Sequence, residues 1–326
     1  MAKKRKKELF YGHSLKGKSK AIATLVKHLF ETTGKKSRLY IGDGGVDTYL
    51  NMGLVEAGML DVCEFGWRSG PSTALRAMSE FHMPNEKEKW LAPAPDFFET
   101  HGLVIYEGAT VMRDWFLGDY SIRVGKGEQI GGVKDSDDTL VMQDIKNDNP
   151  GLPADFYEHG MTTGLHYTSI YAKIRTAIQK SFKFPGWVIW TAHPTEAPDA
   201  TAGGRTGDHG KIIGKKIIGP DVCGKMQAAT ISRLFGNTLH FDTAIPTTAL
   251  AKDETTQKQI RLIEPEYRIY TRTHNDPDAK EMTEFIAGSR VDGLKLYYQD
   301  ESPGKAILDY YHDYQEQEQT VTKGEN

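Results

Sequence analysis

Residues 12–19 carry the pattern of a phosphate-binding loop. They read Gly-His-Ser-Leu-Lys-Gly-Lys-Ser and match G-x-x-x-x-G-K-[ST] at every fixed position. The two glycines let the backbone close around a polyphosphate, and the loop amides and the following helix N-terminus supply donors and positive potential. Lys18 adds a charge, and Ser19 offers a hydroxyl to Mg²⁺. The predicted nucleotide-binding residues are Gly12, His13, Ser14, Leu15, Lys16, Gly17, Lys18, Ser19 and Lys20.

The elements on either side of this loop fit the motif. An apolar segment at 8–11 predicts a strand, and apolar residues at positions 22, 25, 26, 29 and 30 recur at helical spacing. Strand, glycine loop and helix is the context in which the motif binds phosphate. The alternative is a chance Gly-Lys-Ser turn before a surface helix, and the matching flanks count against it.

Three further polar side chains follow apolar segments that predict buried strands. Asp43 follows the strand at 37–41, Glu107 ends the run at 102–107, and His193 follows the run that begins at Trp187. In an open α/β sheet, ligands sit beyond the carboxyl ends of the strands, so these side chains are expected near the phosphates. Glu107 is the candidate for the acid that holds the Mg²⁺ shell. An ordinary Asp-Gly turn remains the alternative for Asp43, and a structural histidine for His193.

The remaining periodicities predict an α/β fold with a mostly parallel, twisted sheet flanked by helices. One alternating stretch at 266–274 is expected to pair antiparallel with the strand at 238–242 and to form the edge of the sheet. The other predicted elements are a strand at 60–65, helices at 72–82, 167–178 and 225–234, a turn at 217–220 and a short helix at 305–314.

The predicted organisation is one large domain with two appendages. Residues 1–7 form a basic arm, 8–300 the nucleotide-binding domain, and 301–326 a helix with a polar tail. An insertion is expected at about 118–164, where glycines are frequent and periodicity is weak. Asp135, Asp137 and Asp138 in this insertion could form a metal cluster, although a solvated loop is the commoner reading of such a run.

Composition narrows the class of protein. The net charge of -3 in 326 residues gives no strong preference for nucleic acid. Two distant cysteines, Cys63 and Cys223, lack the spacing of a disulfide or zinc framework and indicate a reducing compartment. No apolar run reaches the roughly 18 residues of a membrane span, and the amino terminus lacks a signal-peptide core. The sequence therefore predicts a cytoplasmic protein with no membrane partner.

A low-hydrophobicity stretch at 195–210 predicts a mobile loop. Five cationic or titratable residues lie in or after it: Arg205, His209, Lys211, Lys215 and Lys216. Such a loop could grip single-stranded DNA through its phosphates, although it lacks the aromatic residues on which bases stack.

Taken in order, these motifs resemble the phage-type AAA/RecA-like P-loop NTPases, which include recombination and single-strand-annealing ATPases. The resemblance covers roughly residues 8–285, apart from the insertion. Besides the phosphate loop, it depends on the Leu-Tyr-Ile-Gly-Asp-Gly-Gly, Val-Ile-Tyr-Glu-Gly-Ala-Thr and Trp-Thr-Ala-His segments. It also depends on the Ile-Gly-Pro segment, with Gly224-Lys225 and a helix after it, and on Tyr-Arg-Ile-Tyr-Thr-Arg-Thr-His ahead of Asp-Pro-Asp-Ala-Lys.

The resemblance implies a RecA-like core that uses ATP and Mg²⁺ and works as a homo-oligomeric ring or filament. It places Asp43 near the acid that activates water, and His193 at a polar nucleotide sensor. A cation that reaches a neighbour's nucleotide would be Lys280 or, less strongly, Arg272. The second strand lacks the usual Glu and has Gly44 near its place, so Asp43 or Glu107 must serve as base, or hydrolysis is slow. The implied catalytic residues are Lys18, Asp43, Glu107, His193, Arg272 and Lys280, with Ser19 and Glu107 at the metal.

The function implied is an Mg²⁺-dependent ATPase that acts on DNA in phage recombination, repair or replication, in the host cytoplasm if phage-encoded. One alternative is an ATP-gated assembly protein that forms rings or filaments without acting on DNA. Another is a DNA-packaging motor, although no acidic cluster suited to a two-metal nuclease occurs beyond residues 135–138. The motifs do not distinguish ATP from GTP.

The basic residues in and after the 195–210 stretch allow a test of DNA binding. We expect salt-sensitive binding of a single-stranded oligonucleotide, and we expect it to be lost when Arg205, Lys211, Lys215 and Lys216 are neutralised together. Each phosphate contact removed should lower the slope of log affinity against log salt by about 0.7. The measurement is fluorescence anisotropy at several salt concentrations, and absence of binding at low salt would remove the DNA hypothesis.

Overall fold

The computed structural model describes residues 6–42, 45–65, 70–85, 89–125, 164–198, 205–206, 212–213, 216–222, 231–244, 250–252, 259–261, 266–273, 295–298 and 303–309. The helices are α1 (Lys18–Thr33), α2 (Asp47–Asn51), α3 (Pro71–Ser79), α4 (Phe97–Thr100), α5 (Ala109–Gly125), α6 (Gly164–Ser181) and α7 (303–309), with a 3-10 turn at Ser232–Leu234. The strands are β1 (Lys7–Tyr11), β2 (Lys36–Ile41), β3 (Leu60–Glu64), β4 (Met83–Pro84), β5 (Trp90–Leu91), β6 (His101–Glu107), β7 (Trp187–Pro198), β8 (Arg205–Thr206), β9 (Ile212–Ile213), β10 (Lys216–Asp221), β11 (Asn237–Ala244), β12 (Leu250–Lys252), β13 (Gln259–Arg261), β14 (Glu266–Thr273) and β15 (Lys295–Tyr298).

One large sheet carries the candidate site. Its strands run in the order β15-β14-β11-β1-β7-β6-β2-β3, and β10 pairs with β7 away from this path. The six strands from β11 to β3 pair in parallel, whereas β14 and β15 add an antiparallel edge. The predicted α/β fold, with a mostly parallel sheet and an antiparallel edge next to residues 238–242, is confirmed.

Strand β7 lies between the two strands that end in the motif residues. It pairs in parallel with β1, which leads into the phosphate loop, and with β6, which ends at Glu107. Because all three strands point the same way, their carboxyl ends meet at one edge of the sheet. The loop, Glu107 and the residues of β7 around His193 are therefore neighbours.

Side chains alternate between two cores, one on each face of the sheet. On β6, Val104 and Tyr106 enter the core shared with α3, α5 and α6, while Leu103 and Ile105 enter the core shared with α1 and α2. This period of two explains why the central strands are apolar throughout, since both faces are covered.

Aromatic rings stack across three neighbouring strands. Tyr40 lies against Tyr106 with 5.2 Å between ring centroids, and Tyr106 lies against Trp190 at 4.2 Å. Each buried ring also satisfies its polar atom, because Tyr40 donates to the His82 carbonyl, Tyr106 to the Met78 carbonyl and the Trp190 indole to Ser181. The stack ties β2, β6 and β7 together beneath the site.

Several predicted boundaries differ from the structure. Helix α5 continues to Gly125, past the predicted start of the irregular stretch, because Phe116 and Tyr120 keep one of its faces in the core. Lys7, assigned to the basic arm, is a buried residue of β1 whose ammonium donates to the carbonyls of Phe184 and Gly186. Residues 126–163 lie outside the described part of the chain.

The segment after His193 is also more regular than predicted. Strand β7 extends to Pro198, and the predicted turn at 217–220 is instead strand β10, antiparallel to it from Lys216 to Asp221. Their backbone pairing overrides the turn signal of Gly219 and Pro220, because β10 pairs with β7 alone among the described strands, and a proline is tolerated at such an edge. Of the predicted helix at 225–234, residues 225–230 are not described, and 232–234 form a 3-10 turn.

Helix α7 packs directly on the helix that follows the phosphate loop. The Gly304 amide donates to the Thr24 hydroxyl at 2.6 Å, and Ile307 is fully buried in the same core as Leu25. A Cβ at Gly304 would lie 2.1 Å from the Leu25 nitrogen, so only glycine permits this approach. Residues 303–309 are therefore part of the support of α1.

This close approach predicts the effect of a single methyl group. We expect Gly304→Ala to lower the free energy of unfolding by about 1–3 kcal/mol, because backbone atoms of α1 cannot move aside. Lys305→Ala, at an exposed position of the same helix, should change it by less than about 0.5 kcal/mol. Urea denaturation of both variants checks this, and equal stabilities would contradict it.

Candidate nucleotide-binding site

The phosphate loop begins in a narrow space between two strands. The Gly12 amide donates to the Ala192 carbonyl of β7 at 3.3 Å, and a Cβ on Gly12 would lie 2.3 Å from the Phe241 carbonyl of β11. A side chain at this position would collide with backbone. The first glycine of the motif is thus required by close approach of the chain to its neighbours.

The loop also contains two residues with left-handed backbone. Gly17, at the cap of α1, has a φ of 87°, which glycine adopts without strain. Leu15 has a φ of 62° and is 93% exposed at the tip of the loop. A non-glycine residue in this conformation costs about 1–3 kcal/mol, and such strain is characteristic of ligand-binding loops.

Positive charge accumulates at the start of α1. The first turn contains no acidic residue, so the N-terminal partial charge of the helix is not compensated there. The Lys18 ammonium donates to the carbonyls of Gly12 at 2.7 Å and His13 at 3.0 Å, which holds it across the mouth of the loop. This arrangement suits a polyphosphate, whose oxygens would replace the two carbonyls as acceptors.

The buried acid Glu107 accepts hydrogen bonds on both carboxylate oxygens. Ser19, at the start of α1, donates to Oε1, and Tyr49 of α2 donates to Oε2. Glu107 is only 2% exposed, so these donors replace the water that an exposed carboxylate would have. The structure thereby brings together the two residues predicted at a metal site.

These residues fit a hard cation. Ser19 and Glu107 present hydroxyl and carboxylate oxygens, which Mg²⁺ prefers as ligands and as partners of its water shell. Ser19 uses its proton to bond Glu107, so both lone pairs of its oxygen remain available to a cation.

Two threonines fasten the turn after Glu107 to β7. Thr191 accepts a hydrogen bond from the Gly108 amide, and Thr110 accepts one from the His193 amide, both at 2.9 Å. Thr110 also donates to the Asp221 carbonyl, and the Asp221 carboxylate pairs with Arg113. The backbone around His193 is therefore held to β6, α5 and β10 together.

Strand β11 lies on the other side of the loop. Lys16 pairs with Asp242 at 3.1 Å, and the His240 ring stacks on Tyr11, with 4.7 Å between centroids. Burial lowers the pKa of His240 to about 4, and the nearby charges of His13, Lys16 and Lys18 act in the same direction against the opposing effect of Asp242. His240 is consequently neutral at pH 7.

Not every predicted site residue joins this group. Asp43, Gly44 and Lys280 lie outside the described residues, as do Asp135, Asp137, Asp138, His209, Lys211 and Lys215. The backbone of Arg272 pairs with Thr238 near the amino end of β11, away from the carboxyl edge that carries the loop. Arg205 and Lys216 belong to β8 and β10, in the segment that follows β7.

Sequence reasoning missed five residues around the site: Tyr49, Thr191, Asp221, His240 and Asp242. The strand-end rule that found Glu107 and His193 would also have found His240 and Asp242, because they close the strand at 238–242. No comparable signal exists for Tyr49, since its segment has no clear periodicity.

Metal-ligating side chains and apolar helices were also considered in the predictions from the sequence. Within the described ranges, no group of three or more His, Cys, Asp or Glu side chains is arranged to hold a metal ion. Burial raises the pKa of the Cys63 thiol to about 12, which agrees with a small buried residue. Among the helices that the structure describes, none has the length and apolarity needed to cross a membrane.

Comparison with known proteins finds similarity among solved structures. Neither protein-family models nor curated proteins produce a match. Among solved structures, the chain is similar to the KaiC-like protein PH0186 from the hyperthermophilic archaeon Pyrococcus horikoshii OT3, with 8% identity and a TM-score of 0.41. The similarity covers 91% of this chain and 86% of that one. At this level of similarity, function has to be inferred from the site.

The neutral His240 predicts a loss of stability in acid. The unfolded chain takes up this proton near pH 6.5, whereas the folded chain does so only near pH 4. The free energy of unfolding should therefore fall as the pH drops from 6.5 towards 4. His240→Phe, which keeps a ring on Tyr11, should lose roughly 1–2 kcal/mol less than the wild type between pH 7 and pH 5. Urea denaturation across this range measures the difference, and parallel curves would contradict the assignment.

Proposed function

We propose that this protein is a Mg²⁺-dependent ATPase of RecA-like type. The observation that carries the proposal is the hydrogen bond between Ser19 and Glu107. This bond connects the phosphate loop to a buried acid at the end of β6. The glycines of the loop have the backbone conformation that the motif requires, and both groups lie at the carboxyl edge of a parallel sheet. A chance Gly-Lys-Ser turn would have no reason to face a buried carboxylate.

In this proposal the chain acts by positioning and charge neutralisation. The loop amides and the Lys18 ammonium bind the β- and γ-phosphates, while Ser19 and Glu107 hold the cation. Mg²⁺, when bound, neutralises charge that develops on the phosphate oxygens during transfer to water. Hydrolysis then requires a group that orients the attacking water.

The hydrogen bonds around Glu107 favour separate roles for Glu107 and Asp43, the two candidate acids. Both oxygens of Glu107 already accept hydrogen bonds from hydroxyl groups, an arrangement that fixes a carboxylate in place. We therefore assign Glu107 to the cation and Asp43 to the water. His193 would sense the γ-phosphate, supported by its position directly after Ala192, whose carbonyl accepts from Gly12.

A neighbouring subunit would complete the site. The register of Arg272 with Thr238 separates it from the phosphate loop of its own chain, so its proposed role is towards the nucleotide of a neighbour. Lys280 is the stronger candidate for this cation by resemblance. Both assignments require the homo-oligomeric ring or filament.

We propose single-stranded DNA as the partner on which the ATPase acts, in recombination, repair or replication of phage type. The support is the long pairing of β7 with β10, which leads from His193 at the nucleotide edge to the segment containing Arg205. A shift of His193 on nucleotide binding would be transmitted through Thr110 and Asp221 to β10.

The central test is the removal of the loop cation. We expect Lys18→Ala to lower ATP turnover by about 100-fold or more, because the phosphates lose their charged partner. Lys27→Ala, an exposed lysine on the same helix, is the matched control and should retain full turnover. Phosphate release by both variants and the wild type is the measurement, and unchanged turnover in Lys18→Ala would refute the ATPase.

The same assay separates the proposed role from the assembly protein. Stimulation of turnover by single-stranded DNA supports action on DNA. ATP-dependent growth in particle size, by light scattering, with no response to DNA supports a nucleotide-gated assembly instead.

A further inference from the structure

Tyr49 is a buried tyrosine whose hydroxyl partner lies in the candidate site. It belongs to α2, it is fully buried, and its phenol donates to Glu107 Oε2 at 2.5 Å. The other oxygen of the same carboxylate accepts from Ser19. The Glu107 carboxylate thus bridges Tyr49 and Ser19, and Ser19 is predicted to bind the cation.

Two other buried tyrosines among the described residues donate their hydroxyl protons to backbone carbonyls. Tyr40 donates to the His82 carbonyl and Tyr106 to the Met78 carbonyl, both at 2.9 Å. Those bonds satisfy phenols in the core on the other face of the sheet from α1 and Tyr49. The bond of Tyr49 is instead made to an acidic side chain, and a hydrogen bond to a charged acceptor is shorter and stronger than a neutral one.

We propose that Tyr49 is a positioning residue for the magnesium site. With Oε2 held by Tyr49 and Oε1 by Ser19, rotation of the Glu107 carboxylate is blocked, and its plane is fixed relative to the start of α1. Groups that orient an acid in this way commonly contribute 10–100-fold to metal affinity. This inference rests on the proposed function, because it assigns Glu107 to the cation.

The position of Tyr49 in the chain adds a second consequence. Helix α2 begins at Asp47, directly after the segment that contains Asp43, the proposed water-orienting acid. The Tyr49 amide donates to the Val46 carbonyl at 2.9 Å, so Tyr49 belongs to the first turn of α2. The bond to Glu107 therefore links the start of α2 to the acid at the end of β6.

The experiment compares Tyr49→Phe with Tyr40→Phe, which removes the hydroxyl of an equally buried tyrosine in the core on the other face of the sheet. The affinity for a fluorescent ATP analogue is measured without Mg²⁺ and then over a range of Mg²⁺ concentrations, alongside phosphate release and melting temperature. For Tyr49→Phe we expect an unchanged affinity without Mg²⁺ and a rise of about tenfold or more in the Mg²⁺ concentration needed for half-saturation. Tyr40→Phe should match the wild type in both.

A structural role gives a different pattern. If Tyr49→Phe requires the same Mg²⁺ concentration as the wild type, the positioning role is overturned. Recovery of turnover by Tyr49→Phe at saturating Mg²⁺ supports the role, whereas failure to recover shows a damaged site and overturns it. If all three proteins fail to bind the analogue with or without Mg²⁺, the proposed function itself has failed, which is distinct from a defect confined to Tyr49→Phe.

Discussion

The buried carboxylate of Glu107 is the constraint on which the site depends. Removing a charge from water costs several kcal/mol unless polar groups replace its hydration. Here Ser19 and Tyr49 supply hydroxyl donors to its two oxygens, from the start of α1 and from α2. The acid at the end of β6 therefore holds α1 and α2 in place through side-chain hydrogen bonds. The phosphate loop is held in its place by the same interaction, because Ser19 is its last residue.

The sheet makes this interaction possible. Strand β7 separates β1 from β6, and the parallel direction of the three strands brings their carboxyl ends to one edge. Thr191 of β7 then accepts a hydrogen bond from the Gly108 amide in the turn after Glu107, and Thr110 of α5 accepts one from the His193 amide of β7. On the opposite side, the carbonyl of Phe241 leaves room only for glycine at position 12. The loop is thus shaped by β7 and β11 as much as by its own motif.

Much of the fold and part of the site could be predicted from local pattern. Apolar runs located β1, β2, β6, β7 and β11, and helical periodicity located α1 and α6, because burial on both faces or on one face leaves a period in the sequence. The end of an apolar run identified Glu107 at the end of β6, and a second run identified His193, although β7 continues past it to Pro198. Strand β10 was missed because its glycine and proline favour a turn locally, whereas its pairing with β7 depends on residues 18 to 28 positions away, from Lys216 with Pro198 to Asp221 with His193. Tyr49, in a segment without periodicity, had no local signal at all.

By itself the sequence determined that a strand, a glycine loop with Lys18 and Ser19, and a helix would occur together, because each of these depends on neighbouring residues. It also determined that Glu107 would end a buried strand, because the apolar run stops there. Only the tertiary structure decided which strand lies next to which, and hence that Glu107 faces Ser19, 88 residues away, and Tyr49, 58 residues away. The physical reason is that strand order and helix docking come from packing between segments that are distant in the sequence. Local periodicity indicates which face of a segment is buried, but not which other segment covers that face.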